Sequence, residues 1–238
     1  MANNWVGAGE LASKANLRAY AAELMGTMLF VAFGTGTVIV TGGDNLVAIA
    51  LAHGIAIAAM VYITANISGG HINPAVTLGM IVTRQIKIAP GILYMAAQCT
   101  GAIAATAVLY LVLENAVGNA TNFGAHGINT TAVSGDGGAL LLEIIGTAVL
   151  VMVIFAVAVS RRGAGHMAPL LIGLTVALLH LVLVPLTGAS VNPARTLGPA
   201  LISNAFDSFW IYAIGPAIGG AIGALLYFHG FFTSQDKG

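Results

Sequence analysis

The polar groups of this chain are few, and they recur. Residues 69-GGHINPAVTLG-79 and 188-GASVNPARTLG-198 both carry Asn-Pro-Ala, followed two residues later by Thr-Leu-Gly. Asn is a good N-cap and Pro suits the first helical position, so Asn73-Pro74-Ala75 and Asn192-Pro193-Ala194 each read as a helix start. An Asn so placed caps with its side-chain oxygen and keeps an amide N–H2 to donate. The helix N-terminus adds positive potential at the same spot. Such groups recognise a small hydrogen-bonding molecule and perform no covalent chemistry. The other chemistry-bearing residues are Arg195, the imidazoles His53, His71, His126 and His180, and the carboxylates Glu23 and Glu143. Residues 188-GAS-190 resemble a Gly-x-Ser nucleophile turn around Ser190, but Val191 replaces the following glycine. The single cysteine, Cys99, excludes an intrachain disulfide and a Cys-based metal cluster. No metal site and no cofactor is expected.

These residues sit in an apolar chain. Of 238 residues 58% are hydrophobic and 7% charged, far from the roughly 25% charged of soluble domains. A membrane protein follows, and the zero net charge gives no footprint for nucleic acid. The N-terminal 20 residues lack the apolar core of a cleavable signal peptide. Six spans of about 20 apolar residues are predicted, roughly 18–41, 46–67, 88–113, 139–159, 167–187 and 208–232. Lys14, Arg18, Arg84, Lys87, Arg161, Arg162 and Lys237 fall on one side if six helices alternate. The opposite loops hold Asp44, Glu114, Asp136, Asp207 and one basic residue, Arg195. The positive side is cytoplasmic, so both termini are expected there.

The chain repeats itself. Glu23 aligns with Glu143 (143 − 23 = 120) and Asn73 with Asn192 (192 − 73 = 119). The expected organisation is one membrane domain over 1–238: repeat one about 16–113, an outer loop about 114–138, and repeat two about 139–232. Three spans per repeat make the second enter from the opposite face, an inverted repeat. Helices over Asn73–Arg84 and Asn192–Ser203 would each be about 16 Å long, half of a ~30 Å hydrocarbon core. They would meet N-terminus to N-terminus at the midplane. The loops before them (Gly69, Gly70, His71, Ile72; Gly188, Ala189, Ser190, Val191) are non-helical backbone at membrane depth. Such backbone persists only when buried or lining a water-filled cavity. Depth along the spans places His53, His180 and Arg195 together in the outer third. Each His reads either as a packed membrane histidine or as a pore group, while an intramembrane Arg is by default functional.

On these motifs the chain resembles the aquaporins of the major intrinsic protein family, and 64-TANISGGHINPAVT-77 resembles the tonoplast branch. The resemblance covers all six spans. It implies an all-α membrane protein of six helices and two half-helices, a homotetramer in a lipid bilayer with one pore per subunit, and a passive water channel that is not an enzyme. It implies that His53, His180, Ala189 and Arg195 form the selectivity filter, and that Glu23 and Glu143 brace the pore loops. By position alone either Glu is equally an interfacial residue. The sequence departs from the common water-channel set, which often has Phe where His53 stands, and from vacuolar members, which usually have an aliphatic residue at 180. The alternative is an aquaporin-like channel that also passes ammonia or small neutral solutes such as glycerol. Glycerol facilitators usually carry Asp after the filter Arg, where this chain has Thr196. A secondary transporter would carry further ionisable residues at the midplane. His126 reads either as a solvated loop residue or, as in some vacuolar relatives, as a contact to the filter arginine. The cell membrane is favoured over the vacuolar membrane. Asn119 and Asn129 begin N-glycosylation sequons in the outer loop.

Overall fold

Local signals start and stop the helices. Ser13 caps α1 (Lys14–Val40) by accepting from the Asn16 N–H, and Asn45 caps α2 (Leu46–Ser68) by accepting from the Ala48 N–H. Pro74 opens α3 (Pro74–Val82) and Pro193 opens α8 (Pro193–Ser203). The remaining helices are α4 (Ile88–Val112), α5 (Asn115–Ala120), α6 (Gly135–Ile154), α7 (Ala168–Thr187) and α9 (Phe209–Leu225). Wider π turns extend α6 through Phe155–Val159 and α9 through Leu226–Phe231. The computed structural model describes residues 5–231. Residue 232 of the expected sixth span and Lys237 lie outside them.

Six of these helices, with their extensions, are long and apolar enough to cross a membrane. They are apolar around the whole circumference, as helices facing lipid on one side and protein on the other must be. Phe33, Ile55, Leu111 and Leu178 point outward, while Val31, Val151 and Phe155 are fully buried. α1 packs on α2 and α4, and α6 packs likewise on α7 and α9. The halves join where α2 crosses α7. A Cβ at Gly54 would lie 2.6 Å from the Gly173 carbonyl oxygen, so only glycine permits this approach. Each half-helix is held by the other half: α3 lies against α9 and α8 against α4.

The boundaries differ from the expected ones by more than one residue in three places. Helix α1 begins at Lys14, because the Ser13 cap precedes the apolar run. α6 begins at Gly135 rather than 139. α3 ends at Val82, not Arg84: Thr83 closes the helix and Arg84 turns left-handed at φ 62°. At 1.5 Å per residue α3 is about 13 Å long and α8 about 16 Å.

Candidate functional site

Two buried carboxylates organise the two loops. Glu23 on α1 is fully buried, and its oxygens accept from the N–H groups of His71 (2.9 Å) and Ile72 (2.6 Å), from Ser68 Oγ (2.6 Å) and from Gln98 Nε2 (2.7 Å). Glu143 on α6 does the same in the second half. It accepts from the N–H groups of Ser190 (3.0 Å) and Val191 (2.8 Å) and from Thr187 Oγ1 (2.7 Å). The loops need this support. Ile72, Ala189 and Val191 stand at φ 55°, 61° and 42°, costly for residues with a Cβ and most so for β-branched ones. Gly69 and Gly188 end α2 and α7 in the same left-handed region. The loops are tied down internally as well: His71 Nδ1 lies 3.1 Å from Thr77 Oγ1, and Ser190 Oγ 2.6 Å from Thr196 Oγ1. Ser190 is thus committed to its own loop, and among the described residues no imidazole bonds it.

The strained loops meet through the two asparagines. Asn73 Oδ1 accepts from the Ala75 N–H, and Asn192 Oδ1 from the N–H groups of Ala194 and Arg195. Each amide nitrogen then crosses to the other loop. Asn73 Nδ2 donates to the Val191 carbonyl (2.7 Å) and Asn192 Nδ2 to the Ile72 carbonyl (3.0 Å). An amide carries two N–H bonds. One is spent on the opposite loop, which leaves one per asparagine to donate elsewhere. Pro74 and Pro193, with no N–H to satisfy, start the two helices at this junction.

On the side of the 114–138 loop, Arg195 is the centre of a buried cluster. Its side chain is 2% exposed. Nη1 donates to the Gly124 carbonyl (2.7 Å) and to His126 Nδ1 (3.3 Å), and Nη2 reaches His53 Nε2 at 3.4 Å. His53 and His180 are stacked, with centroids 4.2 Å apart. Each gives its Nδ1 proton to its own helix, at Ile49 O (2.8 Å) and Val176 O (2.9 Å). Their Nε2 atoms are then acceptors, and that of His180 is buried without a hydrogen-bond partner among the described residues, as is Arg195 Nε. His126, for which spacing left two readings, is half-buried. It bonds Arg195 and rests on the Tyr212 ring at 5.1 Å. Ala189 is fully buried beside Gly188, whose missing Cβ leaves room for His126. On the other side of the asparagines a cavity of about 600 Å³ opens past His71 and Val176 towards Arg161 and His166.

The Major intrinsic protein family model matches residues 10–227. The chain belongs to that family. Major intrinsic proteins are membrane channels, and this one is a passive channel of aquaporin type. It is 41% identical to human Aquaporin-1 over 232 residues, covering 92% of this chain and 84% of that one. It is 42% identical to mouse Aquaporin-4 over 221 residues, covering 88% of this chain and 66% of that one. Among solved structures, the aquaglyceroporin from Plasmodium falciparum superposes with a TM-score of 0.82 at 22% identity, covering 90% of this chain and 96% of the other, which shows the shared fold. Nothing in these matches singles out the tonoplast branch.

Spacing alone missed part of this major intrinsic protein's site. Tyr94 OH donates to the Ser68 carbonyl (3.0 Å) and Tyr212 OH to the Thr187 carbonyl (2.8 Å), fastening the two helix ends before the loops. The repeat itself signals them: 212 − 94 = 118 and 187 − 68 = 119, the offset of the asparagines within one residue. Gln98 lies outside that signal. It bonds Glu23 Oε2 and Thr77 Oγ1 in the first half, and the offset of 118 leads to Pro216 in the second.

Proposed function

We propose that the channel conducts water and excludes protons, ions and glycerol, with one pore per subunit of a homotetramer and both termini in the cytoplasm. The observation that supports this reading most is the arginine cluster, taken as the selectivity filter formed by His53, His180, Ala189 and Arg195. Two stacked imidazoles and a fixed guanidinium leave little width for a three-carbon polyol, while the free Arg195 N–H and the His180 lone pair suit one small molecule that both donates and accepts. The free amide N–H of Asn73 and of Asn192, backed by two helix N-termini, would hold a water by its oxygen. That water donates outward on both sides and interrupts a proton wire. Pore diameter, lining groups and a fixed positive charge are the general terms of such selectivity. Stopped-flow swelling of proteoliposomes should show water flux with glycerol flux at least about tenfold lower per subunit. Equal fluxes would overturn the reading.

Ammonia is the second permeant the cluster favours, because the His180 Nε2 lone pair is unspent, the His53 Nε2 bond to Arg195 is long at 3.4 Å, and ammonia is a small donor. In His53→Phe one acceptor is replaced by an apolar ring. Ammonia flux should then fall more than water flux in the same vesicles. If both are unchanged, His53 does not line the pore.

The pH response follows from His126. Burial pushes its imidazole well below the ordinary value, and the charge at Arg195 pushes the same way. A depressed value means that the folded state favours the neutral ring, which accepts the Arg195 N–H. That contribution is complete above about pH 6.5 and is lost only as pH falls towards the depressed value. Water flux should therefore be flat from about pH 8 to pH 6. A step within that window that disappears in His126→Ala would contradict the neutral assignment.

A further inference from the structure

We propose that Gly34 on α1 is a positioning residue for the arginine cluster: its bare backbone is the seat of the His53 ring, and any side chain there drives the imidazole into the passage. The inference rests on the reading of that cluster as the narrow part of the water path.

Gly34 is buried, and it faces His53. A Cβ built on it would lie 2.5 Å from His53 Cδ2, 2.7 Å from Nε2 and 3.0 Å from Cγ. Ordinary contact begins at 3.4 Å, so the ring would have to move by 3.4 − 2.5 = 0.9 Å. The direction of that movement is constrained. Helix α1 is held against α4 ten residues earlier, where Gly101 is packed directly against the Leu24 backbone. The neighbouring Thr35 abuts Gly124, where a Cβ would come within 2.6 Å of Thr35 Cγ2. Gly124 in turn offers its carbonyl to Arg195. The step Gly34–Thr35 therefore backs two members of the cluster at once. On His53 itself, Nδ1 is fixed to Ile49, and the Phe30 ring stands T-shaped to it on one side with centroids 5.9 Å apart. The remaining freedom is towards His180 and Arg195. A ring that moves there crowds the unpartnered His180 Nε2 and Arg195 Nε, the groups assigned to the permeant.

A double-mutant cycle tests this, since only directly interacting residues give non-additive losses. Water permeability per subunit is measured for the wild type, Gly34→Ala, His53→Ala and the double variant, with Gly36→Ala as the control on the same helix. A Cβ at Gly36 meets only a Leu109 methyl, at 3.5 Å. Gly34→Ala should lose about threefold or more, since width governs flux, and Gly36→Ala should match the wild type. In the His53→Ala background the change at 34 should have no effect. Full flux in Gly34→Ala would overturn the proposal, as would an equal loss in both backgrounds, which would make the effect one of helix packing. If Gly34→Ala alone fails to fold and the double variant folds and conducts, the seat is confirmed. Absence of water flux in the wild type and in Gly36→Ala would instead refute the water-channel reading itself.

Discussion

Glu143→Leu should yield a protein that melts well below the wild type and conducts no water. The carboxylate accepts the Ser190 and Val191 N–H groups and the Thr187 hydroxyl, and leucine accepts nothing. Each buried donor left without a partner costs about 1–3 kcal/mol. Two backbone donors alone then cost on the order of 4 kcal/mol. That is a large share of the ~5–15 kcal/mol by which folded domains are typically stable. The loss does not end there. The carboxylate also holds Val191 at φ 42°, a conformation of the kind that costs about 1–3 kcal/mol and persists only when its surroundings impose it. Freed from Glu143, Val191 relaxes, and its carbonyl leaves Asn73 Nδ2. The defect thus passes from one repeat to the other. Glu143→Gln keeps one acceptor oxygen and should fall between. Thermal unfolding of the purified proteins and water flux per subunit check both variants. A Leu variant with wild-type melting and flux would show that the loop is shaped by its own sequence.

If the arginine cluster is the filter proposed above, Arg195→Val should make the channel leaky. Removal of the guanidinium takes away the fixed positive charge of the cluster and leaves the Gly124 carbonyl, His126 Nδ1 and His53 Nε2 as acceptors with no donor. The sign of the local preference reverses, from repelling cations to attracting them. At about 4 Å and an effective dielectric near 20, a unit charge repels a passing cation by about 4 kcal/mol. At ~1.4 kcal/mol per decade, its removal should raise cation and proton leak by roughly two to three orders of magnitude. The space vacated should admit glycerol as well. Arg195→Lys separates the two effects. Lysine keeps the charge but lacks the planar fork that spans Gly124 and His126. It should keep protons out while water flux falls. A pH-sensitive dye inside the vesicles reads the leak. A Val variant as proton-tight as the wild type would place the proton barrier wholly at the asparagines.

Much of this architecture was legible in the order of residues, for local reasons. Apolarity sustained over about 20 residues commits a segment to the bilayer whatever surrounds it. Asn-Pro starts a helix through a bond to its own next turn, so Asn73 and Asn192 marked α3 and α8 without any tertiary knowledge. The repeat offset carried the pairing of Glu23 with Glu143. What the spacing overstated, the end of α3, depended on Arg84 turning left-handed. Depth along the spans had brought His53, His180 and Arg195 to one level, and the tertiary structure decided which atoms meet. Arg195 meets His126 across 69 residues and His53 across 142, and Asn73 reaches Val191 across 118. No local signal says which way a side chain points across such distances, or that an asparagine will spend one N–H on the opposite loop. Those choices belong to the packing of one half against the other, because each half presents its asparagine amide to the strained loop of the other.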